Sequence, residues 1–236
     1  MSNFNEEAVQ LAELPEAIDL HTKFTYLSEG LAKFAHKLNI PLLPYRDSKL
    51  PHFSTLSAEL KEVVIKSLED IYAIYSSIEQ ESKDIADSKT VLWYTIKRLG
   101  LRPSSDLFAA INDADIIEIH TPTLQIFRNL NFFRLCSYSI EEVTSIHWTE
   151  LFYRDQKYTD QIIACGATVF TKQESIITTA IEPHVTEELM SELKLNVHYN
   201  MKAMYPLFDT SDASKRYVLI QIEGQLVDVS KAKVSH

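Results

Sequence analysis

The chain has 236 residues, 45% of them apolar and 24% charged, an ordinary globular composition with enough material for a sizeable buried core. Its 33 acidic residues against 23 basic ones give a net charge of −10, a field that opposes binding to nucleic-acid backbones and anionic membrane surfaces. Four glycines leave no Gly-rich phosphate loop and two cysteines no disulfide framework, while no apolar run reaches the roughly 18 residues of a membrane helix.

The first residues, MSNFNEEAVQ, carry neither the basic nor the apolar part of a secretory leader, which makes the cytoplasm the expected compartment. Residues 5–40 are patterned as helix. Phe24, Leu27, Leu31 and Phe34 recur at three and four, Pro15 is placed to open the helix, and Pro41 bounds it near Ile40. The segment IPLLPYRDSKLP is apolar enough to pack along a neighbour, so it reads as an ordered connector.

From Ser54 to Gln80, Leu56, Leu60, Val64, Leu68, Ile71, Tyr75 and Ile78 form one continuous stripe at helical spacing. Such a stripe is either intramolecular core or the seam of a homodimer or partner surface, with Leu60, Val64, Leu68, Ile71, Tyr75 and Ile78 as its contacts. A further helix over 84–99 carries Val91, Leu92, Ile96 and Leu99 and closes at Gly100. Lys97, Arg98 and Arg102 there suit a helix end and form no wider basic patch. Residues 1–102 therefore read as an N-terminal helical bundle.

A change of period follows. Ser104-Ser105-Asp106 can cap a short helix, LFAAIN. Ile117 and Ile119 alternate with Glu118 and His120 as in a half-buried strand, Thr121-Pro122-Thr123 makes a turn, and Leu124 to Phe127 forms a second strand. Ser139-Ile140-Glu141-Glu142 is a capping box. Downstream, the pattern predicts a helix over Lys157–Phe170, a strand over Ile176–Glu182, a helix over Thr186–Leu193, and strands over Leu195–Phe208 and Arg216–Val229.

The run Asn129-Leu130-Asn131-Phe132-Phe133-Arg134-Leu135-Cys136-Ser137-Tyr138-Ser139-Ile140-Glu141-Glu142 resembles the signature of the PAS family. There an Asn closing the second strand is followed by a Phe-bearing helix, Gly-Tyr-Ser and a Glu pair. Asn129, Phe132, Leu135, Tyr138, Ser139 and Glu142 fall in register. Ser137 stands where Gly is usual, the first turn lacks its common Asp-Gly, and the helix from Thr186 would be an insertion. The resemblance covers residues 104–229. It implies an α+β domain over 103–230, with an antiparallel five-stranded sheet and flanking helices, and leaves 231–236 as a tail.

The resemblance further implies a pocket between sheet and crossing helices that holds a small molecule, haem or flavin, or is filled by side chains. The expected lining is Ile119, Phe132, Leu135, Tyr138, His147, Ile162, Met204, Tyr217 and Leu219. The Asn-Cys-Arg-Phe motif of the flavin photosensors is absent, since the region reads YRDQKYTDQI and IIACGATVF. A haem would need an axial His, for which His147 is the candidate. His184 beside Glu182, Glu187 and Glu188 reads either as a metal-ligand group or as acids at a helix start. Asn129 and Asn131 are expected to end the strand and cap the Phe132 helix. Cys136 and Cys165 read as small core residues.

No G-x-S-x-G, H-E-x-x-H or C-x-x-C is present. The expected function is a non-catalytic PAS-like sensor that binds a small ligand or protein partner and relays its state in trans through the helices. Two alternatives stay open: a small-molecule enzyme on an α+β fold using His147, Glu150 or Tyr138, and an adaptor whose pocket is filled by its own side chains.

Overall fold

The computed structural model describes residues 18–104, 107–122, 124–178, 181–212 and 214–227, and is α+β with an antiparallel sheet. Pro15, Ser105, Asp106, Thr123, Val229 and the tail at 231–236 lie outside the described residues.

Helix α1 (Leu20–Lys37) is opened by Asp19, whose carboxylate accepts the His21 and Thr22 amides at 3.0 and 3.1 Å. Its Phe24, Leu27, Leu31 and Phe34 are buried as their spacing requires. The single helix expected from Ser54 is broken into α2 (Pro51–Thr55) and α3 (Ala58–Gln80). Leu56 is extended, and Ser57 then caps the new helix through the Leu60 amide. Helix α4 (Ser88–Arg98) follows, opened by Asp87. Gly100 behind it has φ +63°, a conformation that favours glycine. Helix α1 packs along α3 and α3 along α4, and Gly30 permits the approach. A Cβ there would lie 2.3 Å from the Tyr72 ring.

Strand β1 (Leu101–Pro103) and helix α5 (Leu107–Ala110) lead into β2 (Ile116–His120) and β3 (Gln125–Arg128). A 3-10 turn (Leu130–Arg134), α6 (Ile140–Ser145), α7 (Trp148–Leu151), β4 (Phe152–Tyr153) and α8 (Gln156–Lys172) cross to the far side. Then come β5 (Ile176–Ile177), β6 (His184–Glu188), β7 (Asn196–Asp209) and β8 (Arg216–Leu226). The sheet runs β3-β2-β8-β7-β6-β4, with β1 and β5 also on β7, and every pairing is antiparallel. The buried apolar side chains of helices and sheet form one cluster. Among the described residues, no helix is long and apolar enough to cross a membrane.

Two expectations are corrected. The strand over Ile176–Glu182 shrinks to β5, and the helix over Thr186–Leu193 is strand β6 and the turn behind it. In β6, burial alternates: His184, Thr186 and Glu188 are inside, Val185 and Glu187 outside. The two adjacent acids therefore belong to opposite faces of a strand rather than to the first turn of a helix.

The capping box forms as expected. Ser139 Oγ accepts the Glu142 amide at 3.3 Å, and Glu142 Oε2 accepts the Ser139 amide at 2.7 Å. The same four residues hold the connector. Leu43 and Pro44 carbonyls accept the Ile140 and Glu141 amides, and Arg46 Nε lies 3.1 Å from both Glu142 oxygens. Glu141 Oε1, buried, accepts the His52 and Phe53 amides at 2.7 and 2.8 Å and so supplies the N-terminus of α2 from ninety residues away in round terms. Glu141→Ala orphans both amides. It is expected to lower stability by about 2–4 kcal/mol, read as a lower urea midpoint at unchanged slope. A midpoint equal to wild type would mean that water replaces the carboxylate freely.

Candidate functional site

Strand β2 was expected to be half-buried, yet Ile116 to Ile119 are all buried, because both faces of the sheet are covered. Ile117, Ile119, Leu219 and Gln221 share the face turned to the N-terminal helices, where Gln221 Nε2 donates to the Ala110 carbonyl at 2.9 Å. Glu118 and His120 share the other. A cavity of about 130 Å³ lies on that second face, between the sheet and the helices that follow Asn129.

Strand register assembles its floor. Glu118 stands opposite both Arg128 on β3 and Ile220 on β8, Ile222 opposite Met201, and Tyr199 opposite His184. Phe132 from the 3-10 turn, Trp148 and Leu151 from α7, Phe152, Arg154 and Ile162 close it from above. The lining is thus an apolar shell with a few inward polar groups, the usual make-up of a small-molecule site.

The polar groups are unequally satisfied. Arg128 Nε and Nη2 both lie 2.8 Å from Glu118 Oε1, and His120 Nε2 lies 3.2 Å from Oε2. Burial alone would raise the Glu118 carboxyl. Arg128 and His120 outweigh it and hold the group at about 2. The Arg128 guanidinium also sits 3.8 Å above the Phe132 ring, yet its Nη1 is buried with no partner. Arg154 lies 5.1 Å from the Trp148 ring and has a buried Nε without a partner. Burial pushes its pKa down, from a value so high that the guanidinium stays charged.

His184, 6% exposed, stacks on Tyr158 at 4.1 Å and 9°. Its Nδ1 lies 3.0 Å from the Glu182 carbonyl, which can only accept, so Nδ1 carries the proton. Burial lowers its pKa, with the charge of Arg154 adding to the effect, so the ring is neutral at pH 7. Its Nε2 is therefore a bare lone pair, buried and without a partner. With Glu118 matched by Arg128, the cavity keeps one uncompensated positive charge, on Arg154. None of its lining residues is Ser, Thr or Cys.

Of the expected lining, the structure brings together only Phe132 and Ile162. Ile119, Tyr217 and Leu219 lie on strand positions facing the other way. Met204 stands opposite the lining residue Ile220 but is not itself in the wall, to which β7 contributes Tyr199 and Met201. Leu135 packs over Gly224, where a Cβ would lie 2.1 Å from its Cδ1. Tyr138 is buried beside the cavity, donating to the Leu151 carbonyl and accepting the Met190 amide. His147 is exposed, its Nδ1 2.7 Å from Thr149 Oγ1. In the expected seam, Leu68, Ile71, Tyr75 and Ile78 are buried within the chain, Val64 is half-buried, and Leu60 is 39% exposed.

Asn129 ends the strand as expected but does not cap the 3-10 turn with its side chain. Its Oδ1 accepts the Ile117 amide at 3.1 Å, and its Nδ2 donates to the Asp115 carbonyl at 2.9 Å and toward Ser88 Oγ at 3.3 Å. Among the described residues, no group of three or more His, Cys, Asp or Glu is placed to hold a metal. Beside His184, Glu187 faces out, and Glu188 is bonded to Ser137, Ser191 and Leu195. Burial pushes the Cys136 thiol up to about 12, away from nucleophilic use.

Sequence reasoning missed Glu118, His120, Arg128, Trp148, Arg154 and Tyr199, and it singled out His184 only as a metal-ligand candidate. A signal existed for one pair. Glu118 and Arg128 are opposite charges on two strands joined by a short turn, the arrangement of a cross-strand ion pair.

No protein-family model matches the chain, and no curated protein or solved structure matches it either.

Proposed function

We propose that the chain is a cytoplasmic PAS-like sensory protein without catalysis, which binds a small molecule and relays its occupancy to a partner in trans. The observation that carries this reading is the cavity. It lies between the sheet and the helices that follow the Asn129–Glu142 run, where the resemblance implies a ligand, and buried polar atoms face it unsatisfied. The antiparallel strands β3-β2-β8-β7-β6 support the same reading. The wall holds no Ser, Thr or Cys and its one carboxylate, Glu118, is committed to Arg128, which favours binding over nucleophilic catalysis.

The relay runs through the strand end. The Leu130 amide, at the start of the turn that carries Phe132, donates to Tyr75 Oη of α3 at 3.0 Å. Ser88, at the start of α4, donates to the Asp113 and Asp115 carbonyls and receives Asn129 and Asn131. A ligand that displaces Phe132 thus biases two helices, to the extent that it binds their two arrangements differently.

Native mass spectrometry of the freshly purified full chain tests the reading. The expected result is an added small mass that denaturation removes. A bare mass carrying a stoichiometric protein partner instead favours the adaptor, and a bare, partner-free mass overturns the sensor.

A further inference from the structure

We propose that the cavity takes a small hydroxy monocarboxylate, its carboxylate on Arg154 and the free edge of Arg128 and its hydroxyl on His184 Nε2. This rests on the cavity being the ligand site and goes on to name the ligand's chemistry.

Three buried polar atoms in the wall define what an occupant must supply. Arg128 Nη1 and Arg154 Nε are donors and can only donate, so each lacks an acceptor. His184 Nε2 has the opposite need. Because Nδ1 is committed to the Glu182 carbonyl, Nε2 of the neutral ring accepts and lacks a donor. An occupant that satisfies all three carries acceptor oxygens at one end and a hydrogen-bond donor within reach of them. Leaving any of these atoms buried and unmatched is costly, which turns the set into a recognition code.

Charge narrows the class. The Glu118–Arg128 pair is closed, leaving the single positive charge of Arg154 to be balanced. One carboxylate balances it. A dicarboxylate or a phosphate dianion brings a second negative charge into a largely apolar wall beside Glu118. An amino acid satisfies His184 through an ammonium, but returns a positive charge next to Arg154 and leaves the pair uncompensated. A hydroxyl is the donor that adds no charge.

Size narrows it again. A cavity of about 130 Å³ is close to the roughly 150 Å³ apolar cavity that accepts a benzene ring. The occupant is therefore a short acid whose carbons meet Phe132, Ile162, Met201 and Ile222.

The test is isothermal titration calorimetry on the full chain with hydroxybutyrate, butyrate, aminobutyrate, malate and inorganic phosphate, beside native mass spectrometry of the same preparation. Hydroxybutyrate is expected to give a one-to-one isotherm and to bind about tenfold or more tighter than any other member of the panel. Arg154→Met is expected to weaken it by a similar factor. His184→Phe, which keeps a flat ring against Tyr158, should bring hydroxybutyrate down to the level of butyrate. If either variant fails to melt cooperatively, discrimination by the wild type alone decides. Equal binding of butyrate overturns the role of His184, and tighter malate or phosphate overturns the monocarboxylate. A panel without binders, on a protein whose native mass carries another small ligand, overturns this inference and leaves the sensor standing. A panel without binders on a bare protein, with water alone in the cavity, removes both.

Discussion

Glu118→Leu is expected to destabilise the protein by about 3–5 kcal/mol, because it leaves the Arg128 guanidinium charged, buried and without its carboxylate. The side chain of Arg128 is only 10% exposed, and water in the cavity is a poor substitute for a carboxylate. Glu118→Leu together with Arg128→Met should recover most of the loss, since an apolar pair of similar size demands no compensating charge. A double-mutant cycle from urea unfolding measures the coupling directly. Additive losses would mean that the two residues act separately. The same pair contributes to the acid limb of stability. The folded Glu118 carboxyl is held at about 2 and the unfolded one titrates near 4.5. Its contribution is complete above pH 4.5 and is lost as pH falls toward 2, on the order of 3 kcal/mol in all. The double variant should lack that portion of the pH dependence.

Glu188→Ala is the second large effect. This carboxylate is fully buried and accepts four hydrogen bonds: from the Ser137 amide at 2.6 Å, Ser137 Oγ at 2.8 Å, Ser191 Oγ at 2.5 Å and the Leu195 amide at 3.1 Å. It ties the run that follows the 3-10 turn to both ends of the β6–β7 turn. Alanine orphans two amides and two hydroxyls at once, and the expected cost is about 3–5 kcal/mol. Hydrogen exchange should quicken at 135–139 and 189–196 before it does so in α3. A loss under about 1 kcal/mol would indicate that the loop re-pairs with water. The Ser137 hydroxyl is one of the four donors. Ser137→Gly is accordingly expected to cost about 1 kcal/mol.

Legibility followed the range of the forces involved. Helices α1, α3 and α4, strands β2, β3, β7 and β8, and the capping box at Ser139 are local patterns, and short-range periodicity located them. Strand β6 was misread because Glu187 and Glu188 invite a dipole explanation, whereas the alternation of His184, Thr186 and Glu188 decides the matter. The cavity was harder for a different reason. On a sheet covered on both sides, Ile119 and Glu118 are equally buried, so hydrophobicity does not tell which face holds the site. Its polar atoms come from β2, β3, β6, β7 and the segment before α8, separated by up to about eighty residues and joined only by strand order.

The docking of the connector onto Ser139–Glu142 bears on how the chain is made. Arg46 and Glu142, whose side chains meet, are 96 residues apart. At a synthesis rate of about 5–20 residues per second, the acceptor for the connector emerges roughly 5–20 s after the connector itself. During that interval α1 to α4 are out with their sheet-facing residues uncovered and the amides of α2 uncapped. The nascent chain is therefore exposed to chaperones and to premature association at its helices until residue 142 docks the connector, and the sheet closes only when β8 arrives to join β2 to β7.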